Sequence, residues 1–199
     1  MIKALLLILD PANTWDKIEQ AERNLSKVFF QFLLPVLLIS GAAEAYGLVT
    51  FGHKRGTVVE RVVTVSPDLA IRYKIAQMGL DLFVVFFGAW VLRKIGAGFH
   101  RRHSYAECFI ALAYSLGPLF VVRIVNGAPA VNPWVSWGVG IFLSVSALYR
   151  GIPRILKPDP SNALGLYILS SLLLILITGL GQFLALLVLD EKVWVSGWL

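Results

Sequence analysis

The sequence predicts an all-α integral membrane protein: five transmembrane helices preceded by an N-terminal amphipathic interfacial helix. Three observations carry that prediction. Of 199 residues, 57% are hydrophobic and only 15% charged, against about 25% charged in ordinary soluble domains. Mean hydropathy is +0.74, which implies more apolar surface than a water-soluble fold of this size can hide. Reading between charges then yields five apolar runs, on the scale of the roughly 20 residues that cross about 30 Å of hydrocarbon. The same composition excludes intrinsic disorder, and a single cysteine, Cys108, excludes a disulfide scaffold.

Ala4 to Leu9 is too short an apolar run for a signal peptide, and Asp10-Pro11 stands where cleavage needs small residues. The segment therefore reads as retained. Trp15, Ile18, Leu25, Phe29 and Phe32 recur at helical spacing, opposite Asp16, Lys17, Glu19, Glu22 and Arg23. That pattern predicts an amphipathic helix lying at the membrane surface and feeding the first span. The first span runs from about Val28 to Phe51 with one charge, Glu44. A structured outer loop of about 52–74 follows. In it, Thr57 to Val65 reads as an extended hairpin or strand, and Ser66-Pro67-Asp68 as a helix start.

The second span, about Ile75 to Leu92, carries Asp81. The third, Tyr105 to Val125, has Glu107 and Arg123 near its ends. The fourth, about Pro133 to Tyr149, and the fifth, about Ala163 to Leu189, are uncharged. The fifth is longer than one crossing needs, so it tilts or begins in the interface. Pro35 and Pro118 should kink their helices. No room is left for a soluble domain: residues 1–199 form a single membrane domain, with 1–27 as its interfacial or cytoplasmic N-terminal segment.

Of the 18 Lys and Arg residues, eleven fall on the N-terminal side of such a topology, which favours N-terminus inside and C-terminus outside. Trp134, Trp137, Trp194 and Trp198 mark the outer boundary, and Trp90 and Tyr149 sit near inner ends. The formal charge of +6 then suits anionic headgroups on the inner side and needs no nucleic acid. Arg93, Lys94, Arg101 and Arg102 are the candidate headgroup contacts. The first outer loop is also basic, with Lys54, Arg55, Arg61, Arg72 and Lys74, which orientation does not require.

Ionisable groups within a span are functional candidates. Counting from helix ends at 1.5 Å per residue, Glu44, Asp81 and Gln182 lie roughly 10 Å below the outer surface, with Arg123 somewhat nearer to it. These four are the candidate intramembrane polar cluster, in which Arg123 partners Asp81 or Glu44. The cluster is either a helix-locking network, the preferred reading, or a proton- or cation-coupled path. His100, His103, Glu107 and Cys108 have metal-ligand residue types, but Arg101 and Arg102 between them oppose a cation, so no metal is expected. Ser40, Gly41, Ala43, Gly47, Ala113 and Gly117 permit close helix approach. Packing within one chain is the preferred use, with a homo-oligomer interface the alternative. Phosphate loops, zincin motifs, serine elbows and dinucleotide fingerprints are absent from the sequence, so no catalytic residue and no cofactor is predicted.

Three sequence pieces together resemble the Yip1 domain family. The first is Leu7-Ile8-Leu9-Asp10-Pro11 with Thr14-Trp15 and Ile18. The second is Ser104-Tyr105-Ala106-Glu107 with Ala111, Ala113-Tyr114-Ser115 and Gly117-Pro118. The third is Tyr149-Arg150-Gly151-Ile152-Pro153 with Pro158, Asn162-Ala163 and Tyr167. The resemblance implies a five-helix membrane protein with a cytosolic N-terminus. Eukaryotic members act in Golgi and vesicle trafficking and bind small GTPases, but this sequence looks like the short bacterial form, without their long N-terminal region. GTPase binding is therefore not carried over.

The function expected is that of a non-enzymatic multi-pass protein of a bacterial cytoplasmic membrane, binding or organising other membrane proteins or lipids. The alternative is a small proton- or cation-linked transporter or channel using the polar cluster.

Overall fold

A computed structural model describes residues 2–20, 24–55, 61–99, 103–128 and 130–196. Five helical stretches are long and apolar enough to cross a membrane: Leu25–Thr50, Pro67–Gly98, Tyr105–Gly127, Pro133–Ile155 and Ala163–Leu187. These are the five spans expected, in the same order.

The N-terminal segment is helical as expected but divided. It forms two helices, α1 (Ile2–Leu9) and α2 (Pro11–Gln20). The break falls at Asp10, whose carboxylate accepts from the backbone N–H of Asn13 and from its side-chain amide, the latter at 2.6 Å. Those bonds hold the Asp10 carboxyl below the usual range, and Pro11 takes the first helical position, where its missing N–H costs nothing. Leu25, Phe29 and Phe32 belong to the first span, after a second interruption that Asn24 caps. One face of each helix packs into the protein, while Leu5, Leu6 and Leu9 of α1 remain exposed. Ala4, Leu7, Trp15 and Ile18 all belong to the core. Trp15 meets Tyr114 edge-on, with ring centroids 6.2 Å apart. A side chain at Gly151 would collide with the Trp15 indole, so the glycine creates the slot that the tryptophan fills. Glu22 and Arg23 lie outside the described residues.

The first span is α3 (Leu25–Val28), a wider π turn (Phe29–Leu33) and α4 (Leu34–Thr50). The π turn ends two residues before Pro35, which cannot donate back along the helix, and the Leu34 N–H reaches Phe29 O. After it come β1 (His53–Arg55) and β2 (Arg61–Val63), an antiparallel pair in register His53↔Val63, Lys54↔Val62 and Arg55↔Arg61. The hairpin expected over Thr57 to Val65 is thus centred a few residues earlier, and Thr57–Glu60 lie outside the described residues.

The second span, α5 (Pro67–Gly98), starts at Ser66, whose hydroxyl accepts from Leu69 N–H. With 32 residues it is about 48 Å long, so it overshoots the predicted 75–92 at both ends. The third span is α6 (Tyr105–Ser115), α7 (Gly117–Val122) and a 3-10 turn (Arg123–Gly127). Ser104 and Glu107 close a reciprocal capping box at its start. Its break sits where Pro118 removes a donor, and the Leu119 N–H crosses to Ser144 Oγ on the fourth span at 3.2 Å. Every residue from Cys108 to Phe120 is buried, which makes this the central helix of the bundle. The fourth span is α8 (Pro133–Ile155), capped by Asn132, and the fifth is α9 (Ala163–Ser196).

Two of the small residues serve packing within the chain. Gly47 lets the first span touch the backbone at Gly127, and Gly117 accommodates Phe32 and Ala4. The bundle has two ends. One carries the hairpin, and the other carries α2, which is tied to the C-terminal end of α8 by Asp16–Arg154 and Glu19–Lys157 ion pairs.

Candidate functional site

The polar groups in the hairpin-end half of the bundle form two bonded sets around one small space, and together they reach all five spans. Glu44 on α4 lies between Lys74 of α5, at 2.5 Å, and the Asn126 amide, which donates to it at 3.2 Å. Lys74 also donates to Gln77 one turn along α5, at 2.6 Å. One turn further, both oxygens of Asp81 accept from one guanidinium nitrogen of Arg123, at 2.7 and 2.6 Å. The other terminal nitrogen of Arg123 donates to Gln182 Oε1 on α9 at 3.2 Å. Ser136 on α8 completes the set, its hydroxyl within hydrogen-bond reach of Asn126 Oδ1 and Pro133 O.

The structure thus brings Glu44, Asp81, Arg123 and Gln182 into one constellation. Of the two partners considered for Arg123, Asp81 is the one in contact, and Glu44 pairs instead with Lys74. Sequence reasoning missed Lys74, Gln77, Asn126 and Ser136. Lys74 fell among the basic residues of the outer loop because the second helix was begun at Ile75. A signal was present. Residues 74, 77 and 81 fall at i, i+3 and i+7, one face of a helix, and Ser66-Pro67 already announces a helix that includes them.

Glu44, Lys74 and Arg123 are each less than one tenth exposed. Charge is balanced, with two carboxylates against one ammonium and one guanidinium. This matters because an unpaired charge inside a bilayer costs several kcal/mol. A cavity of about 10 Å³ lies among Glu44, Lys74, Gln77, Asp81 and Arg123, about the room of one water. Arg123 Nε and Gln77 Nε2 are buried without a protein acceptor among the described residues, and both residues line that space. Gly41 and Ser40 form part of its wall.

At the opposite end, Arg93 and Lys94 are exposed beside a cavity of about 330 Å³ that Trp90 and His103 also line. Lys94 Nζ stands 5.7 Å from the centre of the Trp90 ring. Arg101, Arg102 and His100 lie outside the described residues. Glu107 is engaged in the capping box. Among the described residues, no group of three or more His, Cys, Asp or Glu is placed to hold a metal ion.

The three sequence pieces converge in the fold. Trp15 from the first rests on Tyr114 from the second and in the slot left by Gly151 from the third. No curated protein and no solved structure matches the chain. The model of the Yip1 domain does, over residues 5–181, and a match of that extent, on a bundle whose own signature residues pack against one another, makes this chain a multi-pass membrane protein of the Yip1 domain family.

Proposed function

We propose that the protein is a non-enzymatic organiser of the bacterial cytoplasmic membrane, binding other membrane proteins or lipids. On this reading its N-terminus is inside and its C-terminus outside. The observation that carries the reading is the tight packing of the polar network. Its charges cancel, and the free space among them is about 10 Å³, room for one water and none for a hydrated cation or an organic substrate. A network of that kind locks five helices in register and leaves the exterior to do the work. The exterior offers lipid- and partner-facing apolar side chains such as Phe142, Leu164 and Leu180, all well exposed. The opposite end offers the Arg93 and Lys94 cations to anionic headgroups.

The test is purification in mild detergent, followed by identification of what comes with the protein, together with ion flux in liposomes. The reading expects specific membrane proteins or lipids to co-purify and no flux. Nothing specific recovered, with proton flux that the Asp81→Asn variant abolishes, makes the protein a proton-linked transporter instead.

A further inference from the structure

We infer that the groove between the end of α8 and the start of α9 is a binding site for one anionic phospholipid, with its phosphate at Arg150 and Arg154. This deepens the organiser reading and rests on it for its biological use, by naming the lipid class and the place.

The groove has a volume of about 380 Å³. Its walls differ in chemistry from one side to the other. Tyr149, Ile152, Leu164 and Tyr167 make it apolar, while Arg150 and Arg154 place two guanidinium groups at its rim. Tyr149 and Tyr167 meet edge to face across it, with centroids 5.0 Å apart. Both arginines stand at the terminus of a span, where the chain leaves α8 through Lys157 with φ 46° and Pro158. The groove therefore lies at headgroup depth, with aromatic rings at the level where tyrosines prefer the interface.

The two cations are not equally committed. Arg154 is held by Asp16 and by the Arg150 carbonyl. Arg150 makes no side-chain hydrogen bond or ion pair among the described residues and is exposed. Arg154 is thus a fixed donor and Arg150 an exposed one whose charge is otherwise felt by Asp10, beside the first turn of α9, whose N–H groups lack helical acceptors and favour a phosphate. An inorganic phosphate has no use for the apolar wall. A phospholipid uses both halves, its acyl chain continuing along the exposed Leu164 and Ile168 of α9. Six of the nine residues lining the groove belong to the third signature piece, which the polar network leaves unexplained.

The experiment is native mass spectrometry of the full chain in detergent. The probes are phosphatidylglycerol, phosphatidylcholine and inorganic phosphate, and the variants R150Q, A163W and R72Q. Wild-type protein should retain one phosphatidylglycerol in preference to phosphatidylcholine. R150Q should lose that preference about tenfold, as expected for one charge-assisted hydrogen bond, with an unchanged melting temperature because the side chain is exposed. A163W, which narrows the apolar half and keeps both arginines, should also lose the lipid. R72Q removes an equal charge at the other end of the molecule and should behave as wild type. Equal retention by R150Q and wild type overturns the site. Displacement of the lipid by millimolar phosphate, with A163W unaffected, overturns the lipid assignment in favour of a phosphate site. Neither result bears on protein partners, so the organiser reading stands or falls separately by co-purification.

Discussion

Lys74 and Glu44 meet at 2.5 Å, each with 8% of its side chain exposed, on helices that approach from opposite sides of the hairpin. The lysine sits two turns into α5, where its ammonium reaches both Glu44 and Gln77. Breaking such a pair strands a charge, which costs about 3–5 kcal/mol. Lys74→Met should therefore lower the melting temperature in detergent sharply. The Glu44→Gln/Lys74→Met double variant should recover much of the loss, because neither charge then remains. A double variant less stable than Lys74→Met alone would show that the pair is not the unit.

Asp81 and Arg123 make the second pair of the network. Arg123→Gln should destabilise by about 3–5 kcal/mol, and pairing it with Asp81→Asn should cost less than the sum of the singles. A double-mutant cycle measures the difference, and a coupling of at least about 1 kcal/mol is expected for contacting groups. Additive effects would mean that the two residues act through other partners.

The break in the third span gives an independent prediction. Leu119 N–H donates to Ser144 Oγ across the bundle, and Ser144→Ala leaves that buried donor unmet at a cost of about 1–3 kcal/mol. Ser144→Thr keeps the hydroxyl and should cost less. Chemical unfolding in mixed micelles separates the two variants, and equal stability for both would remove Ser144 from this role.

Gly151 owes its identity to Trp15. Gly151→Val should expel the indole, with an overpacking cost of about 1–3 kcal/mol. The change should also release α1 and α2 from the bundle to proteases. Limited proteolysis near residue 20 reads it directly. Protection equal to wild type would mean that the Trp15 slot is not what holds the N-terminal helices to the bundle.

Much of this architecture is written locally. A stretch that must lie in hydrocarbon has to be apolar along its whole length, so the five spans and their order follow from composition alone. Ser66-Pro67 as a helix start follows from chemistry within three residues. Glu44, Asp81, Arg123 and Gln182 were legible as a set because charge and amide are expensive at that depth wherever they occur. Lys74 was not, since a lysine one residue outside a hydropathy window looks like a loop cation until the helix is known to run on beneath it.

Partner choice was decided only in three dimensions. Whether Arg123 takes Asp81 or Glu44 depends on the rotation of each helix about its axis and on relative heights, and no periodicity within one helix specifies either. The same holds for the N-terminal segment. Its amphipathic pattern determines that one face must be covered, and the lipid surface and the Gly151 slot satisfy that demand equally well on paper. Trp15 takes the slot beside Tyr114 and Gly151, while Leu5, Leu6 and Leu9 remain exposed. The sequence alone determined how many helices cross, and which residues need partners. The tertiary structure decided which partners those are.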